Sequence, residues 1–313
     1  MEVWRQIQQK NFTKIADLAA FLDLDLKEQR SPFPLNLPYR LAEKIEKGRL
    51  DDPLLIQFLP TQLETAKVFG FKSDPVEDQL FQKSGKLLQK YQGRALLITT
   101  GACVMNCRFC FRQNYPYAKK SDFSEELELI RSDPSLHEVI LSGGDPLSLS
   151  DARLETLLRA LDGIPHLKLV RFHTRFPLGI PERITPAFVG VLKQLRLQTI
   201  FVLHTNHPRE LDSTVINALK KIPAPLLTQT VLLKGVNDCL KTLKELFLLL
   251  VTSGILPYYL HQFDPIEQGA HFEVPISKGQ ELVQALREEL PGYAVPRYVQ
   301  EIPGRAHKTP IES

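Results

Sequence analysis

Beyond residue 90, the hydrophobic positions of this chain fall into two alternating rhythms. Short runs rich in β-branched and aromatic residues occur at 95–100 (ALLITT), 138–142 (EVILS), 168–174 (KLVRFHT), 199–204 (TIFVLH), 227–233 (LTQTVLL) and 255–261 (ILPYYLH). Stretches of helical period separate or follow them, near 124–132, 150–162, 185–196, 212–221, 239–252 and 277–290. In the stretch at 239–252, Leu240, Leu243, Phe247, Leu250 and Val251 fall on one face at a period near 3.6. Strand and helix in strict alternation predict a parallel sheet with right-handed crossovers. Six such units fit a partial TIM-type (βα)6 barrel rather than the full eight-stranded form. Chemistry in such barrels gathers where the strands end, on the C-terminal face.

The earlier part of the chain reads differently. Residues 1–30 predict one or two amphipathic helices, with Leu18, Phe21, Leu22 and Leu24 on the apolar side. Pro32, Pro34 and Pro38 break that pattern, and a further helix over 39–47 stops at Gly48. Short helix and loop fill 51–88. The expected organisation is a helical N-terminal extension (1–90), an α/β partial barrel (91–290) and a short C-terminal segment (291–313).

Composition narrows the partners. Of 313 residues, 43% are hydrophobic and 24% charged, as in ordinary soluble globular proteins. A net charge of +3, with Lys and Arg dispersed along the chain, gives no footprint for nucleic acid. The first residues lack the apolar core of a signal peptide, and the longest greasy run, 246–251, is too short to span a bilayer. A cytoplasmic protein is expected.

The candidate chemistry begins at the end of the first strand. Cys103, Cys107 and Cys110 follow it in a C-x3-C-x2-C pattern. Three thiolates can hold three irons of a cubane cluster and leave the fourth without a protein ligand, whereas electron-transfer ferredoxins use four cysteines per cubane. An open metal position is what chemistry at the metal requires. A structural zinc site would want a second cysteine pair, and the only other cysteine is Cys239. A disulfide is disfavoured in a chain without secretory features. This spacing, with Phe109 before the last cysteine, resembles the radical S-adenosylmethionine (SAM) superfamily. That resemblance implies a [4Fe–4S] cluster whose open iron chelates SAM and cleaves it reductively to a 5′-deoxyadenosyl radical.

The other strand ends are also polar. The second runs into Ser142, Gly143, Gly144 and Asp145: two glycines allow close backbone approach to a ligand, and Asp145 offers a carboxylate. The third ends in His173 and Arg175, and the fourth in His204. The fifth carries Gln229, and Asp264 follows the sixth. A lone His or Gln is usually a satisfied structural residue; six polar ends at one mouth predict a site.

Together TTGACVMNCRFCFRQ, LSGGDPL, RITPAF, HTNHP, LLKGVNDC and PYYLHQFDPIEQGAHF resemble the lysine 2,3-aminomutase family over roughly residues 40–310. The short chain most resembles the branch that makes β-lysine for elongation factor P. The resemblance adds pyridoxal phosphate (PLP) as a cofactor and implies roles residue by residue. Lys308, in Pro303-Gly304-Arg305-Ala306-His307-Lys308, stands where the family has its Schiff-base lysine, although most of the family's glycines are replaced. Arg94 matches the arginine for the PLP phosphate and Arg112 that for the substrate carboxylate. Ser142, Gly143, Gly144, Asp145, His204 and Gln229 match SAM-binding positions, and Arg175 a further active-site arginine. Asp264 and Glu301 match two carboxylates for the distal ammonium of lysine, which favours lysine over glutamate because a buried ammonium needs paired negative charge. His261 stands where the family often has tyrosine.

The implied reaction moves the α-amino group of free lysine to the β-carbon. It needs an external reductant and is linked to elongation factor P and its lysyl-transfer enzyme. Longer members carry a zinc-binding cysteine tail whose partner matches Cys239; without that tail no structural zinc is expected, and Cys239 reads as a buried small residue. The alternatives are an aminomutase for another amino acid, and a non-catalytic zinc-binding interaction module.

Overall fold

Each apolar run beyond residue 90 forms a strand of one sheet in a computed structural model, which describes residues 2–27, 29, 31–118 and 122–312. The end residues of the expected extension and C-terminal segment, 1 and 313, lie outside the described residues. The six predicted strands are β2 (Arg94–Thr100), β3 (Glu138–Gly143), β4 (Leu169–Thr174), β5 (Gln198–His204), β6 (Leu226–Val231) and β7 (Leu256–His261). Three more join them: β1 (Leu87–Tyr91), β8 (Arg297–Gln300) and β9 (Thr309–Pro310). The order is sequential from β1 to β9, with β2 to β8 parallel and an antiparallel strand at each edge. The sheet is thus a partial barrel with one more parallel strand than expected. β8 is only four residues long, too short to register as an apolar run.

The extension contributes α1 (Val3–Gln8), α2 (Ile15–Leu22) and α3 (Tyr39–Ala42). The crossovers are α4 (Ser124–Ser132), α5 (Asp151–Asp162), the single turn α6 (Phe176–Gly179), α7 (Pro186–Gln194), α8 (Ser213–Leu219), α9 (Leu240–Thr252) and α10 (Ile276–Glu289). Their starts are written in the sequence. Ser150, Thr185 and Asp212 accept from the backbone N–H three residues on, capping α5, α7 and α8, and Pro186 sits at the first position of α7. In α9 the buried residues are Leu243, Leu246, Phe247 and Leu250. Each is worth about 1.5–3 kcal/mol when fully removed from water. Stacked Phe172 and Phe201, 4.5 Å apart, fill the middle of the layer between strands and helices, with Phe188 edge-on to both.

The extension shares this core. Trp4 meets Phe176 edge-on at 5.4 Å, and Leu18, Leu22, Leu37 and Leu41 are fully buried in the same cluster. Between 51 and 86 the described elements are short 3-10 turns rather than α-helices. No helix among the described residues is long and apolar enough to cross a membrane. All seven parallel strands deliver residues to one mouth at their C-terminal ends.

Candidate active site

That mouth is a cavity of about 470 Å³ lined by Cys103, Cys107 and Cys110 and also by Lys308. The cysteines lie on the loop after β2, and the extension pins that loop. Asn11 Nδ2 donates to the carbonyl of Val104 at 2.7 Å, and Asn36 Nδ2 to that of Cys103 at 3.3 Å. Arg108, 1% exposed, points back into the extension, where its guanidinium pairs with Glu64 and donates to Ser31 Oγ and the carbonyl of Phe33. Asn11, Ser31, Asn36 and Glu64 therefore serve the site indirectly, by fixing the backbone that presents the thiols, while Phe33 also lines the cavity itself.

Burial pushes all three thiols up, Cys110 to about 11 with the Cys107 charge adding to the effect. Cys103 rises well above its ordinary value through burial and the neighbouring Asp145 charge. At Cys107 burial also dominates, opposed by Arg175, whose Nη1 lies 2.9 Å from the sulfur. Three half-buried thiolates facing one cavity are costly unless cationic charge is brought to them, which suits a metal cluster. All are free thiols. Among the described residues no group of three or more His, Cys, Asp or Glu side chains closes on a single ion-sized point. A cubane bonds each sulfur to a different iron, so its ligands stand apart.

Arg175 is held through both terminal nitrogens, while its buried Nε lacks a hydrogen-bond partner. Its Nη2 donates to Gln57 Oε1 at 2.7 Å and lies 3.0 Å from Glu210 Oε1, and the guanidinium sits over Phe58 and Phe109. The loop after β3 departs from its expected form. Gly143 has φ +111°, and a Cβ there would lie 2.7 Å from the carbonyl oxygen of Thr100; at Gly144 it would lie 2.4 Å from that of Ala102. The close approach these glycines permit is to the backbone leading into Cys103. Asp145 likewise spends its carboxylate inside the protein, accepting from Thr174 Oγ1 and from the N–H groups of Leu147, Arg175 and Phe176. It thereby staples β3 to β4, with four donors on its two oxygens, while also lining the cavity.

His204 and Gln229 sit side by side on β5 and β6. Burial holds the His204 imidazole neutral, pulling it down to about 3, with Arg175 adding to the effect. Arg94 stacks on Tyr91 at 4.8 Å and lines the cavity. Arg112 Nε donates to Asp78 Oδ2 at 2.7 Å and Nη1 to Ser142 Oγ at 3.3 Å. Lys308 Nζ donates to Glu301 Oε2 at 2.7 Å, and the Tyr91 hydroxyl to Glu301 Oε1 at 2.7 Å. Gly304 keeps a left-handed φ of +79°, so the turn before Lys308 forms although the other family glycines are replaced. Asp264 also lines the cavity, and burial pushes its carboxyl up to about 7 while Lys308 pulls the other way.

Sequence reasoning missed Asp78, Lys90 and Tyr91, which also line the cavity. For Lys90 and Tyr91 the signal was the tight turn Tyr91-Gln92-Gly93-Arg94 between two apolar runs, a β-hairpin pattern, whereas nothing in the sequence marks Asp78. His173 and His261 also line the cavity, each with a buried Nε2 that lacks a hydrogen-bond partner. Cys239 is exposed rather than buried. It precedes α9 with Sγ 3.1 Å from Thr242 Oγ1, because a cap position faces solvent.

An open parallel barrel with a three-cysteine loop on its first parallel strand, and a lysine on the far edge reaching the same cavity, defines an iron–sulfur enzyme that also carries an amine-linked cofactor. No family model matches the chain. Curated relatives do. The L-lysine 2,3-aminomutase of Haemophilus influenzae is 41% identical over 287 residues, 90% of this chain and 85% of that protein. That of Escherichia coli K12 is 40% identical over 310 residues, covering 95% and 90%. That of Clostridium subterminale is 34% identical, covering 98% and 77%. The chain belongs to the lysine 2,3-aminomutase family, whose cofactors are a [4Fe–4S] cluster, SAM and PLP. The residues here fit them: three unpaired thiols for the cluster, an amine on the cavity wall for PLP, and unpartnered imidazole nitrogens in a cavity shared by both.

Proposed function

We propose that this protein converts α-lysine to β-lysine by moving the amino group between adjacent carbons. One observation carries the reading: the Lys308 amine and the three cysteines share a single cavity with the two carboxylates Asp264 and Glu301. In this reading Cys103, Cys107 and Cys110 hold the cluster, with Arg175 against the Cys107 sulfur. Ser142, Gly143, Gly144, His204 and Gln229 border SAM, and Asp145 keeps their loop in place. Arg94 takes the PLP phosphate and Lys308 carries PLP. Arg112 takes the substrate carboxylate. When bound, cluster and SAM supply a hydrogen-abstracting radical, and PLP supplies the π-system over which nitrogen migrates.

The protein's own share is to place the lysine and exclude water, which can be worth about 7–11 kcal/mol in favourable cases. A buried ammonium is tolerated only beside negative charge, so Asp264 and Glu301 select a cationic side chain and reject glutamate. The short branch's link supplies β-lysine for elongation factor P through its lysyl-transfer enzyme. An external reductant and a cytoplasmic location suit an oxygen-labile cluster. The test is anaerobic incubation of the reconstituted protein with SAM, PLP, a reductant and each lysine enantiomer. β-Lysine is the expected product; conversion of another amino acid in its place would replace the assignment.

Asp264 adds a pH dependence. Its carboxyl sits near 7 because burial disfavours the charge, whereas the ammonium of lysine needs it ionised. Lysine binding is therefore coupled to loss of a proton below that value and independent of it above. Affinity is expected to fall about tenfold per pH unit below 7 and to level off above it. Calorimetry in buffers of different ionisation enthalpy reads the released proton; a flat affinity from pH 6 to 8 would remove Asp264 from the ammonium site.

A further inference from the structure

Four residues from separate elements meet in one run of alternating charge. Arg112 follows the cysteine loop, Asp78 opens a 3-10 turn, Lys90 lies on β1 and Glu301 follows β8. Arg112 Nε is 2.7 Å from Asp78 Oδ2, Asp78 Oδ1 is 2.8 Å from Lys90 Nζ, and Lys90 Nζ is 3.9 Å from Glu301 Oε1. All four residues line the cavity. Asp78 is 2% exposed, and its two oxygens divide between the two cations. Lys90 is further fixed by donating to the carbonyl of Val76 at 2.6 Å. Burial opposes the charge on Asp78, yet Arg112 and Lys90 together hold its carboxyl below the ordinary range.

A buried ion pair is seldom the cheapest way to stabilise a fold, since well-packed apolar residues of similar volume often do as well or better. Its rigidity is the more informative property. The inner pair, Asp78 and Lys90, stands between a cation and an anion that face the same cavity. We propose that Asp78 and Lys90 form a fixed ionic spacer that sets the gap between Arg112 and Glu301, and so selects a diamino acid with the charge spacing of lysine over its shorter homologue ornithine. This rests on the reading above, in which Arg112 takes the substrate carboxylate and Glu301 the distal ammonium. One methylene shortens the span by about 1.3 Å. An ornithine held at Arg112 then leaves its ammonium short of Glu301. Norleucine, of lysine's length without its ammonium, leaves Glu301 without that contact. Asp78 and Lys90 touch no reacting atom in this arrangement and are positioning residues.

The experiment measures calorimetric Kd values for lysine, ornithine and norleucine on the reconstituted holoprotein, alongside kcat and KM for lysine. In Lys90→Met the preference for lysine over ornithine is expected to fall at least tenfold. The loss should appear in Kd and KM more than in kcat, and Lys90→Arg should restore most of the preference. General destabilisation would weaken both ligands together and leave their ratio alone. Where Lys90→Met does not fold, Asp78→Glu keeps the charge and lengthens the spacer by one methylene, and should shift the ratio at least threefold. A folded variant of either kind with the wild-type ratio overturns the spacer. Wild-type protein that neither binds nor converts lysine overturns the functional reading instead.

Discussion

Lys308→Arg is expected to erase the absorbance of covalently held PLP and to lower β-lysine formation by at least about a thousandfold. The substitution is chosen because Lys308 has two jobs that alanine would confuse. Its amine pairs with Glu301 at 2.7 Å, the two side chains being 25% and 10% exposed. Removing the cation would leave a nearly buried carboxylate with the Tyr91 hydroxyl and a more distant Lys90. Arginine keeps the positive charge but cannot exchange its guanidinium into a cofactor linkage. A thermal midpoint within a few degrees of wild type, with the band gone, therefore assigns the loss to chemistry rather than to folding. Among the described residues Lys90 is the other lysine on the cavity wall. A Lys308→Arg protein that keeps the band would move the cofactor to another amine and undo the assignment.

Cys110→Ser should strip the metal. The Cys110 thiol is pushed up to about 11, first by burial and then by the Cys107 charge, so the site gains its thiolate only when iron supplies the opposing charge. A serine hydroxyl is far harder to ionise and is a poor iron ligand. Iron and sulfide are expected to drop from about four per chain to below about one, with loss of the reduced-cluster electron paramagnetic resonance signal and of activity. Cys239→Ser is the matched control, because that thiol is exposed, away from the cavity lining, and pairs with Thr242 Oγ1 at 3.1 Å. It should keep full iron content and turnover. Equal iron loss in both variants, or zinc in place of iron after anaerobic reconstitution, would overturn the cluster assignment.

The parallel core was legible because its strands are apolar runs flanked by helices of clear period. α4 spans Ser124–Ser132, where the pattern places it, and α9 begins one residue inside its predicted range. The edges were not legible. β8 is Arg-Tyr-Val-Gln and β1 is Leu-Leu-Gln-Lys-Tyr, each short and half polar, and both gain their strand form from pairing with a stronger neighbour. Sites divided along the same line. Motif spacing marked Cys103, Cys107 and Cys110, because spacing along one loop is a local property, whereas Lys308 was marked only by the family resemblance. Asp78 and Lys90 stand far from the motifs and reach the cavity only through tertiary packing. Asp145 shows a role the sequence could not display: its carboxylate in a glycine-rich turn collects four internal donors.

The bond from Tyr91 to Glu301 spans 210 positions of the chain, and this has a consequence for how the protein matures. Synthesis at about 5–20 residues per second leaves roughly 10–40 seconds between the emergence of these two partners. Under the proposed roles, for most of that interval the cysteine loop and the extension that grips it already exist on the ribosome, while the Lys308 amine does not. Metal delivery to that loop then has a head start over attachment of the amine-linked cofactor.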